Sequence, residues 1–232
     1  MSAKLRWFFG LAMAAFMVGL PFVHFRSVYA YGKRLRVVTP GKVYRSGQLT
    51  EEGFVDAARS LRIRTILNLQ DEFPDPDVDL SFWSLRTIKE TELCRQLGVN
   101  YVYIPPDLIS RRLIPAHRPE AIDRFLAIMD DSASYPVLIH CKAGLHRTGT
   151  MVAVYRMEYE GWSRQAAISE MKANGFGEWP CTSANDYITQ YILTYRPGLR
   201  GQLVEDSGIR GQESGIRSQE SRVSEIQNVR RH

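Results

Sequence analysis

One stretch constrains the fold of this chain more than any other. A short apolar run, Pro136-Val137-Leu138-Ile139, leads into His140-Cys141-Lys142-Ala143-Gly144-Leu145-His146-Arg147-Thr148-Gly149, and Thr150-Met151-Val152-Ala153-Val154-Tyr155 follows. The first run is the length of a buried strand, and the last reads as a helix. A tight loop therefore joins a strand end to a helix start, with a cysteine and an arginine at its two ends. Chains built from such strand–helix alternation form mostly parallel sheets flanked by helices.

The loop also has a chemistry. The first N–H groups of a helix have no intrahelical acceptor, and the helix end carries a partial positive charge. A loop wrapped there can aim several N–H groups at one phosphate. Gly144 lets the backbone curl without a Cβ clash. Arg147 supplies a planar fork that matches two phosphate oxygens. The same positive potential favours thiolate over thiol at Cys141; cysteines in such settings titrate at roughly 3.5–7.5 instead of about 8.5. A thiolate is a competent nucleophile at neutral pH. A lone cysteine at a strand end is ordinarily a packing residue. Glycine, arginine, flanking histidine and strand–loop–helix context together point to catalysis instead.

His-Cys, five residues, then Arg-Thr-Gly resembles the phosphate loop of the cysteine-dependent protein tyrosine phosphatases, particularly the atypical dual-specificity branch. Lys142-Ala143-Gly144 also resembles the loop of phosphatases that act on phosphoinositides. Tyr44-Arg45-Ser46-Gly47-Gln48 resembles a segment near the start of bacterial and fungal atypical dual-specificity phosphatases. The likeness runs from about Val43 to Tyr195. It implies that Cys141 attacks phosphorus and forms a phosphocysteine. It implies that Arg147 and the backbone N–H groups of Lys142, Ala143, Gly144, Leu145, His146 and Arg147 hold the phosphoryl oxygens. By the same resemblance Thr148 donates its hydroxyl to the cysteine sulfur, and His140 orients the loop through a local hydrogen bond.

The leaving oxygen needs a proton, and general-acid help is typically worth 10²–10⁴-fold. The best donor is Asp107, in Tyr103-Ile104-Pro105-Pro106-Asp107-Leu108. A strand over Asn100–Tyr103 delivers it, and two prolines stiffen the turn before it. Its separation from Cys141 matches the acid of the related phosphatases. Rivals are Asp71 and Glu72, at the end of the strand Thr65–Leu69, where sites collect in open α/β sheets. Asp75, Asp77 and Asp79 read as a solvated, proline-broken loop. Lys142 and His146 make the loop basic, which favours highly charged phosphate esters. Against this stand a solvated Lys142, a His146 paired with a nearby carbonyl, and Leu145, where some inositol-directed relatives carry a second lysine.

The sequence has 232 residues, with 30 Lys+Arg against 25 Asp+Glu, a net charge of +5. The arginines are scattered and no aromatic–basic ladder occurs, which speaks against a nucleic-acid partner. Three cysteines, Cys94, Cys141 and Cys181, match neither a zinc pattern nor a disulfide framework. No metal and no cofactor is called for. Cys94 reads as a core residue. A regulatory disulfide from Cys141 to Cys94 or Cys181 is chemically sensible, because reactive thiolates oxidise readily.

Trp7 to Leu20 is continuously apolar, and Pro21-Phe22-Val23 extends it to about the 20 residues that span a bilayer. It reads as a retained membrane anchor. The alternative is an export signal cleaved near Val28-Tyr29-Ala30, followed by export. Arg26, Lys33, Arg34 and Arg36 after the span lean toward a cytoplasmic catalytic domain, whereas the short basic start, with Lys4 and Arg6, leans the other way. From Gly198 the composition changes, and Ser207-Gly208-Ile209-Arg210-Gly211-Gln212-Glu213 nearly repeats from Ser214. Each repeat offers one apolar residue, too few for a coiled coil, so the tail reads as a disordered low-complexity extension.

The expected organisation is an anchor or signal over 1–30, a linker over 31–41, a catalytic domain over 42–197 and a tail over 198–232. Thr50 caps a helix to about Leu61. Strands fall at Thr65–Leu69, Asn100–Tyr103 and Val137–His140. Helices fall at Thr87–Leu97, Pro119–Met129, Thr148–Tyr159, Ser163–Ala173 and Ser183–Tyr195, with Ser163 and Ser183 as N-caps. Trp162, Phe176 and Trp179 read as packing between the last helices. The expected class is α/β with a mostly parallel sheet, and the expected activity is hydrolysis of protein phosphotyrosine and phosphoserine/threonine. Two enzyme alternatives are a phosphoinositide or inositol-phosphate phosphatase and a rhodanese-type sulfurtransferase. A third is a membrane-anchored phosphate-binding adaptor without catalysis.

Overall fold

A computed structural model describes residues 3–25, 32–70, 74–81, 84–104, 119–177 and 185–199. Helix α1 (Ala3–Phe25) comes first, then strands β1 (Arg36–Thr39) and β2 (Val43–Gly47), helix α2 (Glu51–Ser60) and strand β3 (Thr65–Asn68). Strands β4 (Asp77–Asp79) and β5 (Thr87–Lys89), helix α3 (Glu90–Leu97), strand β6 (Asn100–Tyr103) and helix α4 (Glu120–Asp130) follow. The strand–loop–helix unit is β7 (Val137–Cys141) and α5 (His146–Tyr159), and α6 (Arg164–Ala173) and α7 (Asn185–Thr194) follow.

The main sheet runs β1-β2-β7-β3-β6. The β2–β7, β7–β3 and β3–β6 pairs are parallel, and β1 joins the edge antiparallel. The mostly parallel sheet expected from the sequence is present, with β7 at its centre. Parallel strands end at one edge, so the loop after β7 and the chain after β6 leave the sheet on the same side.

Successive strand side chains face opposite sides, and both sides are covered. Val137, Ile139 and Leu67 pack toward α4, α5, α6 and α7. Leu138, Ile66 and Tyr44 pack toward α2 and α3. On β7 this alternation puts Cys141 on the α5 side and His140 on the other. Helix α5 is covered all round: Met151, Val152, Ala153 and Val154 have no exposed surface, as befits a helix at the centre of a layer.

Local signals hold at several helix starts. Thr50 Oγ1 accepts from Gly53 N–H at 3.3 Å, and Ser163 Oγ from Ala166 N–H at 3.2 Å. The helix expected at Pro119 starts at Glu120, with Pro119 as its N-cap, and α5 starts at His146, two residues earlier than expected. Ser183 lies outside the described residues.

Three expectations need correction. Thr87–Lys89 is a strand, not the first turn of a helix; Thr87 and Ile88 are β-branched and pair with β4. The acidic stretch before it is structured. Asp75 accepts from Thr91 N–H at 2.9 Å and Thr91 Oγ1 at 2.8 Å, which ties down the start of α3. Asp77 and Asp79 flank the buried Val78 on β4. The expected linker over 31–41 instead contributes β1 and a turn that touches the loop after β7.

Candidate active site

The loop from Cys141 to Arg147 is shaped from outside. Gln48 N–H donates to Lys142 O at 3.3 Å, Arg34 Nη1 to Ala143 O at 3.0 Å, and Arg45 Nη2 to Gly144 O at 2.9 Å. In a trans peptide the carbonyl of one residue and the N–H of the next point to opposite sides. Three outward carbonyls therefore turn the N–H groups of Ala143, Gly144 and Leu145 inward. Gly144 N–H meets Cys141 Sγ at 3.2 Å. The first turn of α5 adds the amides at its N-terminal end.

Gly144 is required on two counts. Its φ is +74, the left-handed region that suits glycine. A Cβ there would lie 2.5 Å from Gly47 N and 2.6 Å from Ser46 C and O. The loop thus lies directly on the backbone of β2, whose Gly47 is the register partner of Cys141.

Cys141 is nearly buried, at 5 % exposure. Arg147 is half-buried on the first turn of α5, and burial pushes its guanidinium below the ordinary range while Tyr187 opposes the shift. Thr148 is fully buried, and its Oγ1 has no hydrogen-bond partner among the described residues. A buried hydroxyl in that state has a donor to give to an atom arriving in the cradle. Lys142 is exposed at the rim. His146 stacks edge-on against Phe176 at 5.5 Å, so Phe176 braces the loop as well as packing the core.

His140 faces away from the loop interior. It shares a 2.7 Å hydrogen bond between its Nε2 and Glu90 Oε1, both side chains wholly buried. Phe54 lies edge-on to its ring at 5.4 Å. Alternation along β7 forces this: neighbours of Cys141 cannot share its face. His140 therefore ties the strand end to α3. Glu90 escaped the sequence reading because it was placed inside a helix; the β-branched Thr87-Ile88 pair was the available signal that the helix starts later.

Arg45 also went unassigned, although its segment had been singled out. It is 3 % exposed, and burial pushes its guanidinium down to about 10, opposed chiefly by Glu170. An arginine that far from water is costly, and its visible return is the grip on Gly144 O.

Cys94 is a core residue, as expected. Burial, helped by Glu90 and Asp75, pushes its thiol up to about 12. It is therefore unsuited to be the attacking partner in a disulfide with Cys141. Trp162 packs under Arg156, whose guanidinium carbon stands 4.3 Å from the ring centroid. Asp107, Asp71, Glu72, Trp179 and Cys181 lie outside the described residues. Strand β6, which leads to Asp107, ends on the loop's edge of the sheet, two strands from β7.

A cysteine sulfur that meets a loop amide just before a helix start, with an arginine on that helix's first turn, has the layout of the cysteine-based phosphatase class. The chain belongs to the tyrosine phosphatase family, whose model matches residues 33–193. It is 31% identical over 137 residues to the inositol diphosphatase DSP3 of Arabidopsis thaliana, covering 59% of this chain and 60% of that one. It is 54% identical over 43 residues to the dual specificity protein phosphatase TpbA of Pseudomonas aeruginosa, covering 18% and 20%. The chain thus spans between a fifth and three-fifths of these two relatives. The core catalytic domain of the PP-IP phosphatase SIW14 from S. cerevisiae, solved with citrate, superposes with a TM-score of 0.52 at 22% identity, over 71% of this chain and 86% of that one; this supports the fold.

Proposed function

We propose that this protein hydrolyses phosphate monoesters, protein phosphotyrosine and phosphoserine/threonine, through a phosphocysteine at Cys141. The observation that carries the reading is the set of three outward-held carbonyls, which turn their partner amides to the inner side of the loop, where Gly144 N–H meets Cys141 Sγ. Preorganised N–H dipoles and Arg147 stand where negative charge spreads over the equatorial oxygens. They supply the stabilisation that another enzyme takes from a metal.

In the first step Cys141 Sγ bonds to phosphorus, the ester P–O bond breaks, and Asp107 gives its proton to the leaving oxygen. In the second step water attacks the phosphocysteine, Asp107 takes a proton from that water, and the S–P bond breaks. Thr148 Oγ1 donates to the departing sulfur. Asp107→Asn should lower kcat on phenyl phosphate by about 10²–10³. The loss should be much smaller on p-nitrophenyl phosphate, whose leaving group needs less protonation. Equal losses on both esters would remove Asp107 from the acid role and return Asp71 and Glu72 to it.

A second substrate reading is an inositol phosphate or phosphoinositide. The exposed Lys142 and the basic turn at Lys33-Arg34 favour it, and DSP3 is named as an inositol diphosphatase. Hydrolysis of phosphopeptides compared with an inositol-phosphate panel separates the two.

We also propose that α1 holds the enzyme at a membrane. Lys4–Phe25 is long and apolar enough to cross one, and no part of it is buried. A retained anchor predicts that the full-mass chain stays with the membrane pellet after an alkaline wash. A soluble product shortened near Ala30 would show signal cleavage instead.

A further inference from the structure

The outer wall of the loop is a turn that lies before the strands of the fold. Leu35 N–H closes it on Gly32 O at 2.6 Å. Arg34, its third residue, has φ +61, a conformation that costs an L side chain roughly 1–2 kcal/mol. Two contacts hold the turn against that cost. Arg34 Nη1 donates to Ala143 O at 3.0 Å, and Gly47 N–H donates to Lys33 O at 2.7 Å. Ala143 lies two residues after Cys141, and Gly47 is its register partner. The backbone of Lys33 is therefore pinned against Gly47, the strand neighbour of Cys141.

Its side chain is pinned too. A Cβ on Gly47 would fall 2.9 Å from Lys33 Cγ and 3.0 Å from Cδ. The lysine stem fills the space that this glycine leaves open. The half-buried ammonium lies in the field of Cys141, Lys142, Arg34 and Asp79; burial pushes it down and the cysteine pulls it up. Lys33 makes no ion pair within 4 Å among the described residues, and Asp79 is exposed on β4. A fixed, partly desolvated cation without a salt-bridge partner suits an incoming anion. The scissile phosphoryl oxygens already have the inward amides and Arg147, whereas Lys33 stands across Gly47 and Ala143, on the loop's outer side.

We propose that Lys33 is a specificity-determining residue, whose ammonium, with Lys142 alongside, binds a second phosphoryl group carried near the one that Cys141 attacks. The proposal rests on the phosphatase reading and names the substrate chemistry it prefers. A soluble inositol diphosphate and a phosphoinositide head group share that chemistry.

Lys33→Met keeps the stem over Gly47 and removes the charge. The test compares kcat/KM of the full-length chain on p-nitrophenyl phosphate, on a soluble inositol diphosphate, and on phosphatidylcholine vesicles carrying a phosphatidylinositol bisphosphate. On a multiply phosphorylated substrate Lys33→Met should lose on the order of tenfold more than on p-nitrophenyl phosphate, the worth of one charge-assisted hydrogen bond. Lys33→Arg should recover most of that ratio. The substrate that shows the loss identifies the source of the second phosphoryl group. In a second readout, calorimetry with Cys141→Ser should show that inorganic pyrophosphate binds more tightly than orthophosphate, and that adding Lys33→Met erases the difference. Proportional losses on every substrate, or a pyrophosphate preference indifferent to Lys33→Met, would overturn the subsite while leaving the phosphatase reading intact. A wild-type chain that hydrolyses none of these esters would overturn the phosphatase reading, whatever the calorimetry shows.

Discussion

Cys141→Ser is expected to bring phosphate-ester hydrolysis to background while anion binding survives. A serine hydroxyl is a far weaker nucleophile than a thiolate, and the adjacent His140 does not face the α5 side where it would have to activate one. The cradle itself does not depend on sulfur. Its amides are aimed by contacts from Gln48, Arg34 and Arg45 to the loop carbonyls, all outside residue 141. Turnover of p-nitrophenyl phosphate and calorimetric titration with orthophosphate check the two halves separately. Wild-type turnover in this variant would end the phosphocysteine mechanism. Loss of orthophosphate binding in a folded variant would show that the sulfur, not the outer contacts, organises the loop.

Gly144→Ala is expected to lower kcat/KM by about 10²–10³, the usual effect of misplacing a donor to a developing anion. The new methyl would stand 2.5–2.6 Å from backbone atoms of Ser46 and Gly47. Those atoms belong to β2, which is hydrogen-bonded to β7 along its whole length, so the strand cannot yield cheaply. The φ of +74 adds conformational strain of roughly 1–3 kcal/mol. The loop has to move, and its inward amides move with it. Steady-state kinetics together with a urea unfolding curve separate the catalytic loss from the stability loss. Near-wild-type kinetics would mean that the strand-to-loop contact does not set the amide geometry.

Both predictions concern features that differ in how far the sequence reveals them. The strand–loop–helix unit is local: an apolar run, a glycine, an arginine one helical turn along, and a continuous helix pattern lie within one stretch, so Cys141 and Arg147 can be picked out directly. The same holds for the caps Thr50 and Ser163, whose partners sit three residues away. The helix expected from Thr87 fails at its start for a related reason. Lys89 is an N-cap without a side-chain hydrogen bond, and the residue that secures this end, Asp75, comes from the loop before β4.

What no local pattern carries is the set of partners that shape the loop from outside. Arg34 and Arg45 reach carbonyls more than 90 residues away along the chain, with separations of 109 and 99, and Glu90 meets His140 across 50 residues. Local chemistry in the sequence determined which atoms could attack and bind a phosphoryl group, because nucleophile, glycine and guanidinium share one turn of backbone. Only the tertiary structure decided which way each peptide plane faces and which cations brace the outer side of the loop, because those depend on strand order and on contacts between segments that the sheet brings together.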